Sequence, residues 1–310
     1  MLNYNALELV DEAVEFADEL NIRAVEYENG STVLDFGVEA SGGIEAGLYY
    51  ADISAGGLLS VSVRTDELNG TPTNFVDTWI DNPALGLIGA QQSGWEVDYN
   101  GYEAVCGGPG RVLARKPPET YELLDYEEDS DFAVVCLEAN DLPSPGVMER
   151  IAEECGVTPE ATYAVVAPLA STAGVFQMGA RTPEIAVLRL KNLGYDIRKI
   201  ETASGVSPVA PVVSTELDAM GVTNDSVRYC GRAHLRVRED SDVFGQVPTS
   251  ETEFYDTFFT EVLEEYGGFY EVDDSVFAPA SVTVDVIGGD TKRYGEVDEQ
   301  KLSESYGIET

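Results

Sequence analysis

Acid crowds this sequence: 57 aspartates and glutamates stand against 18 lysines and arginines, for a formal net charge of −39 over 310 residues. From a mass of 33.5 kDa, the folded surface is about 13,000 Å², which spaces these carboxylates roughly 15 Å apart. At a Debye length of about 8 Å such groups repel in clusters, and at about 3 Å, in molar salt, they hardly do. The composition is that of a halophilic protein, tolerable and soluble in a salt-filled cell. Nucleic acid is excluded as a partner because binding it requires cations against phosphates, and an anionic membrane surface is disfavoured for the same reason. Apolar residues at 44% are enough for a folded core. No apolar run approaches the roughly 20 residues of a membrane span. The start, Met1-Leu2-Asn3 followed by acidic residues, does not read as a signal peptide, so a cytoplasmic protein is expected.

The cysteines, Cys106, Cys136, Cys155 and Cys230, form no CxxC pair, and His234 is the single histidine. A Cys/His zinc site is therefore not expected, and the thiols read as reduced and buried. His234 falls in a strand and receives no role. The chain lacks GxSxG, GxxxxGK[ST] and a strand-borne GxGxxG, so hydrolase-elbow, P-loop and dinucleotide readings have no signature.

Periodicity predicts a first helix over 5–20 on Leu7, Val10, Val14, Ala17 and Leu20, with Asn5 and Glu8 as a capping pair. Hairpins are predicted at 23–38 about Asn29-Gly30, at 95–105 about Asn100-Gly101, and at 280–297. The glycine-rich stretch before residue 58 reads as loop and short helix, followed by a strand at 58–65. Further strands are predicted at 132–138, 162–167 and 226–238. Helices are predicted from Ser144-Pro145 to Gly156, over 172–193 with a break at Thr182-Pro183, over 252–266 and near 299–306; Ser207 to Pro211 reads as loop. The hairpins argue for mixed sheets, hence an α+β protein of two lobes with flanking helices. The lobes are expected at 1–105, rejoined by 276–310, and at 106–275.

Acidity is not evenly spread. Residues 161–214 hold Glu184, Asp196 and Glu201 against Arg181, Arg189, Lys191, Arg198 and Lys199, and residues 80–118 are nearly neutral. Such stretches are core, interface or site. Glu184 is the only acid between Glu160 and Asp196 and follows Arg181 by three residues, which puts both on one helical turn. The pair reads either as a local helix-terminal ion pair or as a general base tuned by its arginine.

Several stretches then carry a resemblance. Cys-Gly-Gly-Pro-Gly-Arg-Val-Leu-Ala-Arg-Lys-Pro (106–117), Glu-Glu-Cys-Gly-Val (153–157), Val-Ala-Pro-Leu-Ala-Ser (166–171), Gly-Ala-Arg-Thr-Pro-Glu-Ile-Ala (179–186), Ala-Met-Gly-Val-Thr-Asn-Asp-Ser (219–226) and Phe-Ala-Pro-Ala (277–280) resemble the methenyltetrahydromethanopterin cyclohydrolase family. The likeness spans nearly the whole chain, including Gly42-Gly43 and Glu45-Ala46-Gly47. It implies a cytosolic archaeal enzyme of one-carbon metabolism that interconverts an N5,N10-methenyl tetrahydropterin and its N5-formyl form with water. The site would lie in a cleft between two lobes of a homotrimer. No cofactor is implied, since the pterin is itself the substrate, and no metal. By match to the family motif, Arg181 and Glu184 are the catalytic pair and Glu138 a pocket carboxylate. Where the family carries a lysine, this chain has Gln92, which brings no charge and leaves the pterin type, methanopterin or folate, open. Arg111 reads either as a contact for an anionic substrate tail or as a structural arginine. Two other readings remain: a pterin-binding or assembly protein without turnover, which Gln92 favours, and a different metal-free hydrolase.

Overall fold

In the structure, a computed structural model in which residues 1–308 are described, the first helix starts earlier than its periodicity suggests. α1 (Leu2–Glu15) and α2 (Ala17–Leu20) take the place of one helix over 5–20. The Leu2 and Asn3 N–H groups donate to the Glu128 carboxylate at 2.8 and 2.9 Å. That distant carboxylate caps the helix, so the Asn5–Glu8 capping pair does not exist.

β1 (Arg23–Glu26) and β2 (Thr32–Asp35) form the expected hairpin, and α3 (Ile44–Ser54) follows. β3 (Ser60–Leu68) and β4 (Thr71–Ile80) form a further hairpin about Asn69-Gly70, which the sequence reading passed over although its turn signal is the same. A π-helical segment spans Ala84–Gln91. β5 (Trp95–Tyr99) and β6 (Tyr102–Gly107) meet at Asn100 and Gly101, whose φ of 55° and 80° suit a two-residue turn. Then come α4 (Gly110–Ala114), α5 (Pro118–Leu124), β7 (Ala133–Glu138), α6 (Pro145–Cys155) and β8 (Thr162–Val166). α6 has the expected Ser144 cap and left-handed Gly156.

The predicted helix 172–193 is two: α7 (Thr172–Gly179) and α8 (Thr182–Asn192). Arg181 occupies the cap position expected of Thr182. β9 (Ile200–Pro208) and α9 (Glu216–Asp225) were not foreseen. β10 (Arg232–Val237) is shorter than the predicted 226–238 because Ser226–Cys230 stays helical. α10 (Phe259–Tyr266) starts later than 252. The buried Arg228 guanidinium takes the Phe254 and Thr257 carbonyls at 2.6 and 3.0 Å, so neither is available to a helix there. β11 (Ser281–Val286), β12 (Thr291–Gly295) and α11 (Glu299–Ser305) complete the chain as expected.

The architecture is α+β with two mixed sheets. The first runs β1-β2-β8-β7-β6-β5, with β2, β8 and β7 parallel; the second runs β12-β11-β10-β9-β4-β3, parallel only at β10/β11. Each sheet organises one compact unit: Met1–Leu59 with Leu85–Gln177, and Ser60–Ala84 with the chain from Met178 onward. This division differs from the expected lobes at 1–105 plus 276–310 and at 106–275. The reason is strand pairing, which places the 85–177 strands with the first sheet and sends the β3/β4 hairpin to the second.

The first sheet is covered on both faces. Leu34, Val134 and Val165 pack with Ala6, Val10 and Ile53 on one side, while Val33, Val135 and Ala164 pack with Met148 and Ile151 on the other. Its parallel strands accordingly read as continuous apolar runs. Gly47 allows α3 to press on α7, since a Cβ there would lie 2.7 Å from the Ala173 carbonyl. The second sheet alternates: Val76, Thr78 and Ile80 are buried while Trp79 between them is exposed. Among the described residues, no helix is long and apolar enough to cross a membrane.

Two aspartates of the first unit carry opposite pH signatures. Burial pushes the Asp35 carboxyl up, but four N–H donors (Gly37, Val38, Glu39 and Ala40, at 2.7–3.0 Å) outweigh it and leave it below the usual carboxylate range. Its stabilisation is present above the unfolded pKa and fades as pH falls through the lowered folded value. Asp52 is pushed up to about 6 by burial, against one N–H donor from Leu59. Ionising it in the fold therefore costs stability, increasingly as pH rises from about 4 to about 6. Asp35→Asn should lower stability at neutral pH by about 1–3 kcal/mol, because an amide offers one acceptor to four donors. Asp52→Asn should raise the melting temperature at pH 8 and change it little at pH 4. Denaturation of both variants across pH in 2 M KCl checks the two signs.

Candidate active site

α8 begins with Thr182-Pro183, and proline's fixed φ and missing N–H suit a first helical turn. That turn is pressed onto the second sheet: at Gly205 of β9, a Cβ would lie 2.7 Å from Pro183 Cδ and 3.1 Å from Thr182 Cβ. The packing fixes where the Arg181 and Glu184 side chains start. Arg181 Nε donates to Glu184 Oε2 at 3.0 Å, and the two residues are 7% and 3% exposed. The expected pair is thus formed, and it is buried.

Only three carboxylates are buried among the described residues: Asp35, Glu184 and Asp225. Asp35 takes four N–H donors. Asp225 takes Arg228 Nη1 at 2.6 Å and the Phe259 N–H at 3.1 Å on Oδ1, with the Ser305 hydroxyl at 2.8 Å on Oδ2. Both are donor-saturated, as structural buried charges must be. Glu184 is not. Among the described residues its Oε2 takes Arg181, and its Oε1 takes no protein donor. A buried carboxylate with one oxygen unclaimed by protein donors has that oxygen available to a water or a ligand.

The other candidates lie in the first unit. Glu138 ends β7, at the carboxyl edge of the parallel β2-β8-β7 trio, where open α/β sheets place their ligands. Gln177 of α7, 1% exposed, donates from Nε2 to Glu138 Oε1 at 3.2 Å. The sequence reading missed Gln177, which carries no charge and stands in an apolar helix. At the same edge, Gly37 packs on Ser171, with a Cβ there only 2.8 Å from Ser171 Oγ.

Gln92 follows the π-helical segment, whose kind recurs at functional sites. Its half-buried side chain leaves Oε1 without a hydrogen-bond partner. Arg111, fully buried in α4, donates to the carbonyls of Lys116 at 2.9 Å, Ala90 at 3.2 Å, Ile88 at 3.4 Å and Gln92 at 2.5 Å. It closes the carboxyl end of the 84–91 segment, as a cation should. Of the two readings of Arg111, this geometry favours the structural one, and it ties Arg111 to the placement of Gln92.

The four cysteines are free and buried, and burial pushes Cys155 and Cys230 up to about 12, which makes them poor nucleophiles. Among the described residues, no three His, Cys, Asp or Glu side chains group in a way that could hold a metal ion.

The chain is similar to known proteins over its full length. The family described as Cyclohydrolase (MCH) matches residues 1–306. A methenyltetrahydromethanopterin cyclohydrolase of Halobacterium salinarum is 43% identical over 308 residues, covering 99% of each chain. Enzymes of the same name from Methanoregula boonei and Methanothermobacter marburgensis are each 39% identical, over 100% and 99% of both chains. With the family match running over residues 1–306 and a relative 43% identical over 99% of each chain, the chain belongs to the methenyltetrahydromethanopterin cyclohydrolase family.

Proposed function

We propose that this protein interconverts N5,N10-methenyl- and N5-formyl-tetrahydromethanopterin, with Glu184 as the general base. The observation that carries the reading is the Arg181–Glu184 pair, buried and with Glu184 Oε1 free of protein donors. The relatives' names supply the pterin type.

The substrate carbon is an amidinium between N5 and N10, already electrophilic. Glu184 accepts a proton from water as its oxygen bonds to that carbon, giving a neutral tetrahedral carbinol. The protonated Glu184 then delivers the proton to N10, the C–N10 bond breaks with its electron pair going to N10, and the carbinol collapses to the N5-formyl group as its hydroxyl proton is lost to solvent. One water is consumed and one proton released. Arg181 keeps Glu184 ionised between turnovers and is the positioning residue of the pair. Glu138 and Gln92 contact the pterin, and Gln177 orients Glu138. The reaction needs neither metal nor cofactor, because the amidinium carries its own activation. The enzyme works in the cytoplasm as a homotrimer. A binding protein without turnover would have no use for a half-claimed buried carboxylate.

Glu184→Gln keeps shape and hydrogen bonding but takes no proton. It should lower kcat about 10²–10⁴-fold, or roughly 3–5 kcal/mol of barrier, with little change in KM or melting temperature. Retained kcat within threefold would eliminate the base role. Arg181→Leu should raise the apparent pKa of the acidic limb of the pH–rate profile, since the carboxylate loses its counter-charge. Full activity should survive dialysis against EDTA; activity lost on chelation and restored by zinc would contradict the metal-free mechanism. Gln92→Lys should change the ratio of kcat/KM for methenyl-tetrahydromethanopterin over methenyl-tetrahydrofolate. A ratio unchanged within twofold would remove Gln92 from substrate selection.

A further inference from the structure

Charge along this chain is interrupted in three places. The uncharged stretches longer than a dozen residues are 82–95, 161–180 and 202–215. The first two are largely buried. Each holds a candidate site residue, Gln92 in one and Gln177 in the other, which runs up to Arg181. The third carries no candidate, and it differs in being partly open. Its residues Pro211, Val212, Ser214 and Thr215 are exposed, Val212 by 53%.

The third stretch lies in the second unit, where it runs through β9 and leaves it as a loop. Gly205 and Val209 face the same side of that strand, about 13 Å apart. The first turn of α8 rests on Gly205, and Gly179 rests on Val209: a Cβ at Gly179 would lie 3.0 Å from Val76 Cγ2 and 3.7 Å from Val209 Cγ2. Arg181 stands in the short segment that bridges these two contacts. The loop therefore leaves the sheet beside the backbone that carries Arg181 and, one turn on, Glu184. It is pinned at both ends. The Val209 N–H donates to the Asn74 carbonyl at 2.8 Å, and the Thr215 hydroxyl caps α9 by accepting the Asp218 N–H at 3.1 Å.

A pinned, exposed and uncharged segment is anomalous surface for a chain with 57 acids in 310 residues. Loops left to salt solution carry carboxylates elsewhere on this chain. A segment that closes on an apolar ligand cannot carry them, because an unpaired carboxylate would lose its hydration there. The proposed substrate has an apolar part to offer. N10, the nitrogen released on ring opening, bears an aryl ring in both methenyl pterin types. With the reacting carbon at Glu184, that ring lies one bond beyond N10 and needs a wall near the start of α8. Val212 and Val213 supply branched aliphatic side chains and no charge, the lining that such a ring prefers.

We propose that the 209–215 loop is the apolar lip of the active site, with Val212 as the contact for the aryl ring on N10 of the substrate. This rests on the cyclohydrolase reading and adds a residue that holds the substrate beyond its pterin. The experiment is steady-state kinetics in 2 M KCl on the parent, Val212→Asp, Val212→Lys, Val212→Leu and, as control, Ile287→Asp. Ile287 is 46% exposed and follows β11 at the other end of the sheet, where Val286 aligns with Val237 and Val237 with Ile200 at the start of β9. Both charged variants of Val212 should raise KM about tenfold, the scale of one lost apolar contact in a pocket, with kcat within threefold of the parent. Val212→Leu and Ile287→Asp should match the parent. Long-range charge effects are screened at this salt, so a KM that rises with Asp and falls with Lys would show a charged contact and overturn the lip. On a methenyl pterin with a methyl group on N10 in place of the aryl ring, the parent and both charged variants should share one KM; a gap as large as on the aryl substrate would overturn the lip as well. Melting curves are read alongside, and if one charged variant fails to fold, the other decides. With a parent that turns over, KM unchanged in the folded charged variants sinks the lip and leaves the cyclohydrolase reading standing. A parent inert on both methenyl pterins sinks that reading, and the lip with it.

Discussion

Burying a carboxylate is expensive unless donors replace the water it loses, and that cost sorts this molecule. A chain with 57 acids can fold only by leaving almost all of them wet. Three are buried among the described residues. Asp35 and Asp225 are surrounded by donors and serve as struts: Asp35 holds the turn after β2, and Asp225 ties α9 to α10 and α11. Glu184 departs from this pattern. Its burial is supported by one arginine and a helix start, and one oxygen has no protein donor. The same accounting that explains stability elsewhere sets Glu184 apart from the other two buried carboxylates.

Backbone details distribute the supporting roles. Gly205 brings the α8 start onto β9, so Glu184 stands on a strand-backed turn rather than on a loop. The parallel trio of the first sheet delivers Glu138 at its carboxyl edge, where Gln177 takes one carboxylate oxygen. Arg111 holds the end of the π-helical segment through four carbonyls, which sets the backbone of Gln92. Sites built on such elements hold their geometry better than sites on mobile loops.

Much of this was legible in the residues, and the failures have physical causes. The Asn-Gly hairpins, the Ser144–Gly156 helix and the buried strands follow from local turn chemistry and periodicity. The start of α1 was misread because its cap, Glu128, lies 126 residues away. The strand expected over 226–238 is shorter because Ser226–Cys230 stays helical, and the helix expected over 252–266 starts later, where Arg228 takes the Phe254 and Thr257 carbonyls. The two compact units are set by strand pairing, which is non-local and leaves no mark in the order of the residues. The charge map singled out Arg181 and Glu184 because acid is scarce around them, and the two are paired and buried; Gln177, a neutral amide, leaves no mark on such a map. Arg111 was visible as a cation in a glycine loop, but whether it faced a ligand or carbonyls depended on folding around it.

The central claim is that Glu184 works as a proton acceptor and not as a helix-terminal strut. Chemical rescue addresses it directly. In Glu184→Gly, formate added at constant ionic strength can occupy the emptied space beside Arg181 and take the proton in its place. The account predicts turnover that is low without formate, rises to saturation with it, and follows the formate anion as pH is varied. A variant that still binds the methenyl pterin yet regains nothing at any formate concentration, or one that turns over at the parent's rate without formate, would contradict it.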